Sequence, residues 1–157
     1  MAKSDLPARG HFPKVKLGKK VPKKAEALLI AAFEGDDGLE LPGTALLEGA
    51  ALRSTYEALV AVGATGKTGE VTRVPAPAKA GVASIIAVGL GDAEEVDDET
   101  LRRAAGQAAR SITKVDAVAT SLGDFGVAPV VEGLILGGYK YSGPVSYTHL
   151  TLPTICS

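Results

Sequence analysis

Residues Val82–Asp92, Val-Ala-Ser-Ile-Ile-Ala-Val-Gly-Leu-Gly-Asp, restrict the possible folds of this chain more than any other stretch. Val82 to Val88 carry no charge, and Val82, Ile85, Ile86 and Val88 are β-branched. So short an apolar run, set between Gly81 and the pair Gly89/Gly91, predicts a strand buried on both faces. Asp92, Glu94, Glu95, Asp97, Asp98 and Glu99 follow, and then a helical pattern. Acids at a helix start complement its unpaired N–H groups and its dipole. A buried strand, a glycine turn and an acid-started helix make one βα unit of a layered α/β domain.

The neighbouring segments extend that unit. In Asp97–Ile112, Leu101, Ala105, Ala108 and Ile112 form one stripe, with Arg102, Arg103, Gln107 and Arg110 off it. Ala25–Phe33 is a second short apolar run that suits a strand, closed by the turn cluster Glu34–Gly38. Thr44–Val62 reads as a helix with Thr44 as N-cap, Gly63 as C′ residue, and Ala45, Leu52, Tyr56, Leu59 and Val60 on its apolar face. Glu70–Val74 alternates and stops at Pro75-Ala76-Pro77, so it predicts a strand, with the short linker allowing it to run antiparallel to the buried one. Val115–Thr120 reads as a further strand. Ala128–Tyr139 reads as a helix in which Pro129 is harmless in the first turn, while Gly133, Gly137 and Gly138 require tertiary support.

Composition excludes several classes. The chain of 157 residues is one domain's length, its net charge is −1, and no apolar run approaches the ~20 residues needed to span a bilayer. Neither nucleic acid nor a membrane is expected as a partner. The single cysteine, Cys156, excludes an intrachain disulfide framework, and the expected location is cytoplasmic. Residues 1–24 form a basic arm, with eight Lys or Arg against Asp5, interrupted by Pro7, Pro13 and Pro22. Such an arm could meet an acidic partner or RNA, but it is read here as a solvated, poorly ordered terminus in which Val15–Leu17 could pair at a sheet edge.

Motifs that suggest chemistry do not hold up. Gly63-Ala64-Thr65-Gly66-Lys67-Thr68 imitates a phosphate-binding loop, but Ala61 stands where the first glycine belongs. A phosphate loop also follows a strand and opens a helix, whereas here a helix precedes and a strand follows. Asp36/Asp37 sit in a turn with no further acids at ligand spacing, and His11 and His149 are isolated at opposite ends. No catalytic, metal-ligating or binding residue is assigned.

Ala27-Leu28-Leu29-Ile30…Phe33-Glu34-Gly35, then Thr65–Glu70, then Val88-Gly89-Leu90-Gly91 resemble in order and spacing the N-terminal domain of leucyl (cytosol) aminopeptidases. Val131-Glu132-Gly133-Leu134-Ile135-Leu136-Gly137-Gly138-Tyr139-Lys140-Tyr141 is similar to the Glu-Gly-x-x-x-Gly-x-Tyr-x-Phe pattern near that domain's end, with Tyr141 where Phe is common. The likeness spans about residues 25–143. It implies a macro-domain-like α/β fold, a mixed and largely parallel sheet with helices on both faces. It also implies a missing C-terminal catalytic domain binding two zinc or manganese ions, and a cytoplasmic homohexamer. That domain's Asn-Thr-Asp-Ala-Glu-Gly-Arg signature is not in this sequence, so no catalytic residue carries over and no cofactor is expected in this fragment. Residues 144–157 lose the Ala/Gly/charged character of the chain, and Val145–Thr154 resembles the translation of a transposon-end adapter, a foreign tail. The competing function is a stand-alone macro-like module for an ADP-ribose-type ligand. It would need a phosphate cradle at the strand ends, for which Val88–Gly91 is the sole candidate and Asp92 a repulsive neighbour.

Overall fold

The computed structural model describes residues 13–18, 20–78, 80–112 and 115–139. Residues 1–12 of the basic arm and residues 144–157, expected to be a foreign tail, therefore lie outside the described residues. Eight elements follow in order: β1 (Ala27–Gly35), β2 (Gly38–Glu40), α1 (Gly49–Ala61), β3 (Val71–Pro75), β4 (Ser84–Gly89), α2 (Asp98–Ser111), β5 (Val118–Thr120) and α3 (Val127–Gly138).

The sheet is mixed. β1 runs parallel to β4, with Leu29 opposite Ile86, and parallel to β5, with Leu28 opposite Ala119. β3 lies antiparallel on the outer side of β4, as the short linker allows, and β2 folds back antiparallel on the end of β1. The uncharged run is the interior strand β4, fully buried from Ser84 to Gly89. The hub is nevertheless β1, which touches three other strands and buries every residue from Ala27 to Phe33.

Strand alternation sends the two halves of β1 into two cores. Leu29, Ala31 and Phe33 join Ile86 and Val88 under Leu101, Ala105 and Ala108 of α2 and Val130 of α3. Leu28, Ile30 and Ala32 join Ile85 and Ala87 under Leu59 of α1, with Leu39 and Leu47. Helices thus cover both faces. Each fully buried Leu or Ile contributes about 1.5–3 kcal/mol relative to exposure, so the sheet is held from both sides.

Four expectations need correction. The first helix begins at Gly49, not Thr44, with Glu48 at the N-cap position making no side-chain cap. Gly49 has φ +56°, a left-handed residue through which no α-helix runs. Thr44 instead closes a tight turn, accepting from Leu46 N–H on its Oγ1 (3.3 Å) and from Leu47 N–H on its carbonyl (3.1 Å). The buried face of α1 is also rotated. Thr55 and Leu59 are buried while Tyr56 and Val60 are exposed, because Thr55 donates its hydroxyl to the Ala51 carbonyl at 2.8 Å and so tolerates the interior. Finally, only Val118–Thr120 of the stretch 115–120 pairs as a strand, and Val15–Leu17 join no strand.

Helix ends follow the sequence more closely. Gly63 (φ +81°) terminates α1, its N–H bonding the Val60 carbonyl and that of Ala64 the Leu59 carbonyl, the paired bonds of a Schellman motif. Asp97 caps α2, accepting from the Thr100 N–H and hydroxyl, both at 2.7 Å.

Candidate functional site

In open α/β sheets a ligand binds beyond the carboxyl ends of the parallel strands. Here that position lies past Phe33 of β1 and Gly89 of β4, and the chain fills it with its own loop, Gly63–Glu70. The Gly66 carbonyl accepts from Gly91 N–H (3.0 Å), whose carbonyl accepts from Glu34 N–H (3.0 Å). Gly69 N–H bonds the Gly89 carbonyl (2.9 Å), and Gly89 N–H bonds the Glu70 carbonyl (2.7 Å). The Thr68 hydroxyl reaches the Leu90 carbonyl at 3.3 Å.

Backbone meets backbone at this crossing. A Cβ on Gly66 would strike the Phe33 carbonyl, and one on Gly89 would strike the Lys67 carbonyl. Gly66 also adopts φ +80°, a conformation that side chains rarely take.

The phosphate-like loop therefore has an occupant of its own. Glu70 Oε2 accepts from Thr65 N–H (2.9 Å), the Thr65 hydroxyl (2.8 Å) and Gly66 N–H (2.9 Å). Burial opposes the charge on Glu70, but the donors of Thr65, Gly66 and Lys67 together outweigh it and hold its carboxyl below the usual range. The carboxylate takes the place an external anion would need. Val88–Gly91, the expected cradle of the ADP-ribose alternative, is spent on the same crossing.

Several other acids have local roles. Asp36 and Asp37 form the two-residue turn of the β1–β2 hairpin. Asp92 accepts from Glu94 N–H at 2.9 Å. The Thr100 side chain, then its backbone, holds the Asp97 carboxyl low. Glu99 is held low by Arg103 (2.7 Å), then Arg102 (2.6 Å). Arg102 also reaches Glu132 of α3 at 2.7 Å. Among the described residues, no three His, Cys, Asp or Glu side chains converge on one point where a metal could be held. Likewise, no helix among them is long and apolar enough to cross a membrane.

Sequence reasoning missed one surface. α2 and α3 pack through glycines, Gly106 on one and Gly133 and Gly137 on the other. Beside this seam lies a groove of roughly 350 Å³ bordered by Arg103, Gln107, Arg110 and Leu136. Its only advance signal is the run of off-stripe arginines on α2; nothing in the sequence tells which helix faces them.

The elements and their order define an α/β domain with a mixed sheet between helical layers. Residues 29–143 match the N-terminal domain of the cytosol aminopeptidase family, and the chain belongs to that family. It is similar to a "Probable cytosol aminopeptidase" of Corynebacterium diphtheriae, 48% identical over 152 residues, which take in 97% of this chain and 30% of that one. A protein of the same description from Corynebacterium glutamicum is 47% identical, covering 88% of this chain and 28% of its own length. The chain thus spans under a third of these relatives. Among solved structures it resembles the bottromycin maturation enzyme BotP at 22% identity, with a TM-score of 0.53 over 80% of this chain and 25% of that one. At that identity the likeness concerns the fold.

Proposed function

We propose that this chain is the non-catalytic N-terminal domain of a metal-dependent aminopeptidase, a cytoplasmic exopeptidase that releases N-terminal residues from peptides. The observation that carries the reading is the family match across residues 29–143, in a chain covering only 30% of its Corynebacterium diphtheriae relative. The local duties of the acids support it. Asp36/Asp37 serve a turn, while Asp92 and Asp97 serve helix starts, and among the described residues no three such side chains gather at one point. Dinuclear hydrolysis needs several carboxylates converging on two ions, zinc or manganese, that activate water. We assign those ligands to the polypeptide beyond this domain, within a homohexamer.

The purified chain with added zinc or manganese should leave a leucine amide substrate intact. Joining residues 1–139 to the remainder of the Corynebacterium diphtheriae relative should give a chimera with turnover. Metal-dependent turnover by the chain alone, abolished by replacing Asp97 and Asp98, would overturn the assignment.

A further inference from the structure

We propose that the α2–α3 groove, with Leu136 at its rim, is the surface on which the downstream polypeptide of the full-length protein docks. This rests on the reading of the chain as an N-terminal domain. α3, Val-Ala-Pro-Val-Val-Glu-Gly-Leu-Ile-Leu-Gly-Gly, carries a single charge, Glu132. A helix apolar on every side is normally enclosed by protein. Only Pro129, Val130 and Gly133 are buried here, while Val127 is exposed and Leu136 is 70% exposed.

The groove beside Leu136 has a definite chemistry. Its floor is the glycine seam of Gly106 and Gly137, where no side chain projects. Arg102 and Arg103 along its wall are engaged with Glu99 and Glu132. Arg110, further along, has no ion pair among the described residues. The surface therefore suits an apolar side chain laid on Leu136 and the glycines, with a carboxylate directed at Arg110.

Chain path selects the occupant. α3 ends at Gly138, less than one turn after Leu136, more than two-thirds of each relative lies outside the matched region, and the matched family domain is an N-terminal one. A polypeptide continuing from Tyr139 would therefore start beside the groove. A short tether raises the effective concentration of a neighbouring surface to about the millimolar range, so even a modest apolar contact is populated. The opposite exposed apolar face, Tyr56 and Val60 of α1, lies on the other side of the sheet from this exit.

The test compares two proteins, the 157-residue chain and the chimera of residues 1–139 with the remainder of the Corynebacterium diphtheriae relative. Leu136→Glu should shift the melting temperature of the 157-residue chain by no more than about 1 °C, as an exposed position allows. In the chimera the same change should split one unfolding transition into two and expose the junction after residue 139 to protease at least ~10-fold faster. Arg110→Glu should act in the same direction. Leu136→Cys provides a second readout. Its alkylation, followed on its own peptide, should be rapid in the 157-residue chain and at least ~10-fold slower in the chimera. Equal alkylation in both proteins overturns the proposal. So does a 157-residue chain that dimerises through Leu136, or a Val60→Glu control that splits the chimera instead. Hydrolysis by the unsubstituted chimera is measured separately, so loss of peptidase activity and loss of docking are distinguishable.

Discussion

Replacing Gly133 by alanine sets two well-measured effects against each other. In an exposed helix interior, Gly→Ala gains about 1 kcal/mol from backbone entropy. At Gly133 the added Cβ would run into the Arg102 carbonyl of α2 and lie 2.9 Å from the Ala105 Cβ. Carbon contacts prefer about 3.5–4.0 Å, so α3 must move away from α2 by at least half an ångström or so. The movement strains a seam that also holds Val130 against the first core. Overpacking of this kind costs about 1–3 kcal/mol. The expected net is a loss of up to about 2 kcal/mol, a drop of several degrees in melting temperature for a domain of this size. Gly137→Ala should behave alike, its Cβ falling on the Gly106 carbonyl and 2.6 Å from the Gly106 Cα. Gly106→Ala is the control, since its Cβ would meet the Gly133 carbonyl at 3.3 Å and Arg110 Nη1 at 3.5 Å, contacts that need little adjustment. Thermal unfolding of the three variants reads the order. If Gly133→Ala and Gly137→Ala melt above the parent, helix propensity dominates and the close approach of α2 and α3 is refuted.

Two further outcomes are expected. Ile86→Asp buries an unpaired carboxylate in β4, where Ile86 is 2% exposed, and should destabilise by several kcal/mol in urea unfolding; an unchanged midpoint would remove β4 from the interior. Glu70, with its carboxyl held low in the folded state, contributes stability that is present above its unfolded pKa and lost as the pH falls through the lower folded one. Glu70→Gln should therefore be less stable than the parent at neutral pH and flatten that acid-side decline, whereas parallel profiles for both proteins would contradict the Thr65–Gly66 latch.

How much of this was legible depended on whether the deciding interaction was local. β4 and α2 could be read because an uncharged β-branched run and a Leu101/Ala105/Ala108 stripe are one-dimensional patterns, and Asp97 announces its helix within four residues. The start of α1 was misplaced because periodicity ignores the left-handed turn at Gly49, and its face was misjudged because a hydroxyl that bonds Ala51 behaves as a buried group. β2 is three residues long and exists only because β1 lies beside it. Gly63–Thr68 was recognisable as a loop, but its binding of Glu70 required knowing that the next strand begins by turning back over it. The groove was legible only as the off-stripe arginines of α2, because its other wall, α3, lies beyond β5 in the chain.

The arrangement of β1 has a consequence for synthesis on the ribosome. β1 is made before every strand that pairs with it, and its parallel partners are β4 and then β5, Ala27 pairing with Ser84 on one side and Val118 on the other. Until β5 has been made, one edge of an almost wholly apolar strand carries N–H and C=O groups with no permanent neighbour beyond the short β2. Exposed edges of this kind recruit other chains, and pairings between distant segments form slowly. Nascent polypeptides halted between β4 and β5 should accordingly be the species that chaperones retain and that aggregate first, while those extended through α3 escape.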